Sequence, residues 1–400
     1  MTSDLSAARP PARFVRLIAA LAALAAFAPF ATDMYLASFP DIAASFGATL
    51  GDAQLSLSIF FFGLAVGQIA YGPLIDSFGR KGPLCAGVAT FAAASALALF
   101  APNMPSFIAL RFLQALGGCA GMVIGRAIIG DLFVERDAAR ALSFLMLVQG
   151  LGPILAPILG GYVAAAGGWR AVFVFLTAFG LLCLALAWRL VPETLPPAER
   201  RRLRFADTLR TFGSLLRRRA FAAPTLAGGL SFACMFAFIT GSSEAYMEIH
   251  GVSERSYGWL FALNACGMVA AAAVNGALLR VASPARIVTA ALALGALGGA
   301  ALAAFGAIAP LPALVAMLWL TIAATPIVGA NTMAIALGQA GDHRGAASAL
   351  IGVTQFALAG LVSAVVGAFH NGTVYPMTVA IFVCGLAALA VWLLGGRSRG

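Results

Sequence analysis

A chain of 400 residues that is 62% hydrophobic and only 10% charged cannot cover itself with a hydrated surface, because a water-soluble domain carries about a quarter charged residues. The composition excludes a soluble globular protein and implies an integral membrane protein whose first partner is the lipid bilayer. A net charge of +10 would suit nucleic acid, but the arginines gather in short loops at helix ends, where they set orientation, so no nucleic-acid partner is expected.

In chain order, Arg9, Arg13 and Arg16 precede an apolar run over 14–39. The run has the outline of a signal peptide, but its length and the interruptions at Pro29 and Asp33 predict a retained first helix. Further apolar segments cover 53–75, 83–101, 105–128, 139–165, 170–190, 221–249, 256–279, 285–306, 311–338, 345–369 and 375–395. The reading is an all-α integral membrane protein of twelve transmembrane helices. Loops at 76–82, 129–138, 191–220, 280–286, 339–344 and 396–400 hold most of the arginines, and the loops near 40–52, 102–104, 307–310 and 370–374 hold none. The positive-inside rule then places both termini and the 191–220 stretch on the cytoplasmic side of a bacterial-type inner membrane. That stretch contains Arg200, Arg201, Arg202, Arg204, Arg217, Arg218 and Arg219. It divides the chain into a six-helix half at 1–190, a linker at 191–220 and a second six-helix half at 221–400; its charge run also suits a lipid-headgroup face. Gly72-x-Leu74 recurs as Gly276-x-Leu278, and Arg140-Ala141-Leu142-Ser143 has an echo in Arg344-Gly345-Ala346-Ala347-Ser348, at one common offset. Equal offsets at equivalent loops favour duplicated halves.

Four constellations carry chemistry. The charged turn Gly72-Pro73-Leu74-Ile75-Asp76-Ser77-Phe78-Gly79-Arg80-Lys81 joins two apolar runs. Its glycines permit a tight helix-to-helix turn, and Asp76 is placed to accept from arginines or helix-end N–H groups. Asp76 with Gly72, Gly79, Arg80, Lys81, Arg136 and Arg140 is the expected conformational latch. Arg111, inside an apolar helix with Gln114 one turn on, should face the bundle interior, or else snorkel to headgroups. Asp33 is its expected partner: counted from the helix ends, Asp33 lies roughly 25 Å from Arg16 and Arg111 roughly 9 Å below the other face, so the depths nearly match. The alternative for Asp33 is a cap on a bend after Pro29. Glu244, one turn inside Glu248, is a second candidate acid, or an interfacial one. The amide and phenol groups of Tyr35, Gln68, Gln149, Asn264, Asn331 and Gln355 are candidates for a cavity wall, amid many Phe and Met side chains suited to lipophilic ligands.

The pattern G-x-L-x-D-x-x-G-R-K at 72–81 resembles the signature loop between helices 2 and 3 of the major facilitator superfamily. Arg111-Phe112-Leu113-Gln114-Ala115 is similar to its helix 4 motif R-x-x-Q-G, with Ala115 in place of glycine. Thr32-Asp33-Met34-Tyr35-Leu36 looks like the helix 1 motif of the drug-exporting branch, where the resemblance implies that the acid serves proton and drug binding. Gly152-Pro153-Ile154-Leu155-Ala156-Pro157-Ile158-Leu159-Gly160-Gly161 resembles the antiporter motif, with Ala156 before Pro157 where the family has glycine. Together with 126–133, 259–264 and 345–350, these strings look like the Bcr/CflA-type multidrug efflux transporters. The resemblance implies a twelve-helix, proton-coupled exporter of small amphiphilic drugs; nothing in the sequence requires an oligomer, so a monomer is expected. The competing readings are a symporter or importer, or an exporter of one physiological metabolite such as an amino acid, peptide or sugar derivative.

No G-x-x-x-x-G-K-[ST] or H-E-x-x-H pattern occurs, so no enzymatic activity is expected. The six cysteines are scattered singly in apolar runs, and His250, His343 and His370 are far apart in the chain. Neither a metal nor a cofactor is expected, with protons as the coupling ion.

Overall fold

The computed structural model describes residues 12–396 except 134 and 201. The first crossing, Arg16–Phe46, is not one rod. It consists of α1 (Ala12–Ala25), α2 (Phe27–Asp33), a single 3-10 turn and α3 (Phe39–Phe46). The break follows from Pro29, which has no N–H to offer the carbonyl of Ala25 and whose ring crowds that carbonyl.

Next come α4 (Leu50–Phe78), α5 (Lys81–Ala98), α6 (Met104–Leu132) and α7 (Glu135–Leu190). Thr49 and Asp52 form a reciprocal capping box at the start of α4, satisfying two otherwise orphan donors. The apolar part of α7, Arg140–Leu190, spans 51 residues. As a single rod it would reach roughly 77 Å, more than twice the bilayer core. It turns at Gly167 and Gly168, where Gly168 takes φ +69°, a backbone region closed to most side chains. Trp169 fixes the turn by donating to Ser45 Oγ at 2.9 Å.

After α8 (Phe205–Leu216) and α9 (Arg219–Ser243) the chain makes a π-turn over Glu244–Ile249, and then α10 (Glu254–Leu278), α11 (Pro284–Phe305), α12 (Leu311–Gly338), α13 (Arg344–Ala368) and α14 (Tyr375–Gly396) complete it. Among the described residues eleven helices are long and apolar enough to span a membrane; the break in α7 makes twelve crossings, as the apolar runs predict. The 191–220 stretch is more ordered than its charge suggests. Its helix α8 buries Phe212 and Leu215 against Phe221, Ala336, Ala340, Ala347 and Leu350, which ties it to the ends of α9, α12 and α13. Below, the "linker end" is the end of the bundle that carries α8, and the other is the "far end".

Helices α4 and α13 pack backbone to backbone at the far end, where a side chain on Gly51 would meet the carbonyl of Gly367. On its two sides α7 meets α2 and α10, again through small residues. In a lipid solvent such close van der Waals packing, rather than the hydrophobic effect, holds helices together.

Candidate functional site: a buried carboxylate in an apolar cavity

Inside the bundle lies a cavity of about 520 Å³. Phe61, Phe232, Phe236, Phe238, Phe261 and Phe356 form much of its wall, with Met122, Met146, Met235, Met268 and Met333 between them. Such a lining favours lipophilic ligands without fixing their shape. Among the described residues one carboxylate, Asp33, one guanidinium, Arg126, and the amides of Gln68, Gln149 and Gln355 face into it.

Asp33 ends α2 and is only 3% exposed. Its Oδ1 lies 2.8 Å from Thr32 Oγ1, which is also 2.9 Å from the carbonyl of Ala28. A hydroxyl has one proton to donate and two lone pairs. Thr32 can therefore donate to an ionised Asp33, or donate to Ala28 and accept from a protonated Asp33. The pair suits both charge states without moving a backbone atom.

Arg111 is not the partner of Asp33, contrary to the sequence expectation. It is fully buried, and its Nη2 donates to the carbonyl of Ala31 at 2.7 Å. Nη1 bonds Gln114 Oε1, and Gln114 in turn donates to Ser95 Oγ at 2.7 Å. The guanidinium lies over the rings of Tyr35 at 4.1 Å, Phe60 at 4.5 Å and Phe173 at 5.8 Å. Cation–π contacts and a carbonyl thus replace the carboxylate that a buried cation ordinarily requires. The depth match was sound, since Arg111 reaches the turn that precedes Asp33. Depth does not give the rotation of each helix about its axis, and that rotation sends the side chain to Ala31.

The other expected polar residues separate into distinct places. Tyr35 hydroxyl lies 3.2 Å from Ser56 Oγ, outside the cavity lining. Asn264 donates to Tyr246 hydroxyl at 3.2 Å, and Asn331 donates to Asn275 Oδ1 at 2.7 Å. Both are helix-to-helix ties of the kind that satisfies an amide in lipid. Glu244 is 2% exposed, but it sits at the far end with Oε1 2.9 Å from His370 Nδ1, not in the cavity wall.

At the linker end the charged turn forms a knot. Arg80 pairs with Asp76 at 2.9 Å and with Asp131 at 3.0 Å. Glu193 Oε1 accepts from the backbone N–H groups of Arg80 at 2.8 Å, Thr194 at 3.0 Å and Leu195 at 3.1 Å, while Oε2 accepts from Lys81 at 3.3 Å. Burial pushes the Glu193 carboxyl up, but these four backbone donors outweigh it and hold it below its usual range. Gly79, with φ +88°, lies where any side chain would collide with that carboxylate; glycine is required on both counts. Gly72 meets no such neighbour. Arg140 is absent from the knot and pairs with Asp137 on its own helix at 3.4 Å, and the side chain of Arg136 lies outside the described residues. Sequence reading missed Asp131, Glu193 and Thr194, which come from the ends of two other segments; Thr194 Oγ1 donates to Asp131 at 2.6 Å.

The helix 5 motif is a packing surface. Side chains added at Gly152 and Gly160 would strike Pro29 and the carbonyl of Met34, and one at Gly161 would strike the carbonyl of Glu254. Ala156 is fully buried. Across the same contact, a side chain on Gly258 would strike the carbonyl of Pro157. The motif therefore joins the Asp33 helix on one side to α10 on the other.

Over residues 21–364 the chain matches the Major Facilitator Superfamily. It is 32% identical over 362 residues to the uncharacterized MFS-type transporter YdgK of Bacillus subtilis (strain 168), with 88% of each chain covered. To a bicyclomycin resistance protein homolog of Haemophilus influenzae it is 31% identical over 369 residues, with 92% of each covered. Among solved structures, that of the peptide transporter POT in complex with sulfate shares the fold with a TM-score of 0.77 at 15% identity, covering 97% of this chain and 94% of that one. The twelve-crossing bundle, its central cavity and these likenesses agree, and the chain belongs to the Major Facilitator Superfamily of multi-pass membrane transporters.

Proposed function

We propose that this protein exports small amphiphilic drugs or toxic compounds in exchange for protons, by alternating access of the central cavity. The observation that carries the reading is Asp33, a buried carboxylate with no cation partner among the described residues, facing a large aromatic and methionine-rich cavity. The name of the Haemophilus influenzae relative, a bicyclomycin resistance protein homolog, supports the same class of cargo.

An ionised Asp33 attracts a cationic or donor group. At 4 Å and an effective dielectric near 20 the attraction is about 4 kcal/mol, enough to compete with a proton for the same oxygen. A proton taken up by Asp33 removes that attraction and frees the drug. Exchange follows because proton and drug use one carboxylate, and the Thr32 hydroxyl satisfies either state. Arg111 positions the turn that carries Asp33, and the Arg80 knot holds the linker end. No catalytic step and no cofactor is involved. The assignment further comprises a monomer in a bacterial-type inner membrane, two six-helix halves at 1–190 and 221–400, and the linker with both termini on the cytoplasmic side.

The test is drug flux with simultaneous lumenal pH recording in proteoliposomes carrying an imposed proton gradient. Opposed movement of drug and proton is expected. Movement of both in one direction would replace this reading with the symporter alternative.

A further inference from the structure

Among the described residues Arg126 is the one charged side chain besides Asp33 in the cavity wall, and unlike the buried Arg80 and Arg111 it is exposed. Arg80 is held by two carboxylates, Arg200 by Glu193 and Arg111 by aromatic rings and a carbonyl. Arg126 has no hydrogen bond, ion pair or ring contact among the described residues, and its side chain is exposed to the cavity. It also borders a vestibule of about 890 Å³ that opens toward α8. The acids of that vestibule are already engaged: Asp76 by Arg80, and Asp207 by Arg204 and Arg210. An exposed guanidinium that no protein group engages is open to an incoming anion, and its planar fork matches a carboxylate or phosphonate in two parallel bonds.

We propose that Arg126 is an anion-recognising subsite, so that the cavity selects zwitterionic amphiphiles with an amine toward Asp33 and a carboxylate or phosphonate toward the linker end. This deepens the export reading and rests on it. The spacing is suitable. On α6, Gly118 lies against Phe27 and Gly121 against Leu24, which puts the backbones of Asp33 and Arg126 roughly 20 Å apart along the bundle. Helical side chains lean toward the N-terminus, here the far end, so the guanidinium leans toward Asp33 and shortens the gap to about 15 Å. Protonation of Asp33 turns a cavity of balanced charge into a positive one. That change expels an amine and leaves the acid end held by Arg126 alone.

The decisive experiment compares norfloxacin, a zwitterion, with its methyl ester, in which the same scaffold lacks the carboxylate. Equilibrium binding to detergent-solubilised wild type, Arg126→Gln and Arg126→Lys is followed by probe fluorescence, and proton-driven export is measured in proteoliposomes. The expected result is that Arg126→Gln weakens norfloxacin about tenfold and the ester less than about twofold, with Arg126→Lys between them, since lysine keeps the charge and loses the fork. Equal loss for both probes, no loss for norfloxacin, or a wild type that binds the ester better or binds neither probe would overturn the subsite. A wild type that binds norfloxacin through Arg126 but moves neither probe against a proton gradient would overturn the export reading alone.

Discussion

The Arg80 knot and the Asp33 cavity use the same kinds of side chain in opposite ways. At the heart of the knot each charge has several partners: Glu193 takes four backbone donors, Arg80 two carboxylates and Asp131 both Arg80 and Thr194. In the cavity Asp33 has the Thr32 hydroxyl and Arg126 has none among the described residues. Saturated charges resist exchange, because any incoming group must displace a bond already made. Unsaturated charges in an apolar wall wait for one. Under the proposed function, the contrast separates the part that holds a conformation from the part that handles a cargo.

Neutralising the cavity acid should break the contrast most severely. For Asp33→Asn we expect normal membrane insertion and proton-driven export reduced at least about a hundredfold, because the proton site itself is removed. Full proton-driven export by this variant in the flux assay would remove Asp33 from the mechanism. Next in size is Gly160→Val, whose side chain would strike the carbonyl of Met34. It should lose about 1–3 kcal/mol of stability, read as a lower unfolding temperature in detergent, with what survives still able to bind drug.

The knot should respond in turnover rather than in binding. Glu193→Gln is expected to change the export rate about threefold to tenfold with drug affinity unaltered, because the carboxylate that gathers four N–H groups loses its charge. Its pH dependence has a definite sign. The folded carboxyl lies below its unfolded value, so its contribution is complete above the unfolded value of about 4.3 and is lost as pH falls through the folded one. Relative to the intrinsic rate at each pH, hydrogen exchange at the Arg80 and Lys81 amides should thus be strongly protected at neutral pH and lose that protection only in stronger acid. The smallest effects mark the residues that belong to neither region. Glu244→Gln should leave drug affinity within about twofold, and Arg140→Ala should change stability by less than about 0.5 kcal/mol, since its pair with Asp137 is solvent-exposed.

Much of this architecture is legible in the chain because lipid imposes a single rule: a run of about twenty apolar residues is a crossing. Even the break inside α7 falls between the runs read at 139–165 and 170–190, where Gly167 and Gly168 stand. The helix in the linker has a clear apolar stripe, Phe205, Leu209, Phe212 and Leu216, but at 12 residues among arginines it is too short and too polar to register as a crossing. That Asp33, Gln68, Gln149 and Gln355 line a cavity is legible because polar groups amid apolar sequence must face something other than lipid. The same argument also selected Asn264, Asn331 and Glu244, which face other side chains. Distinguishing a cavity from a neighbour requires the rotation of each helix, and a stretch with almost no polar residues gives no polar face from which to read it. Arg126 lies where α6 nears the linker end, and its lack of a partner among the described residues is visible only in three dimensions.

The claim at the centre is that proton and drug occupy one carboxylate. Proton release on drug addition tests it most directly, measured with a pH indicator in weakly buffered, detergent-solubilised protein. Wild type should release close to one proton per drug bound, and Asp33→Asn should release none while still folded. Release of the same size from the variant, or drug binding to wild type with no release across the whole pH range of binding, would contradict the account.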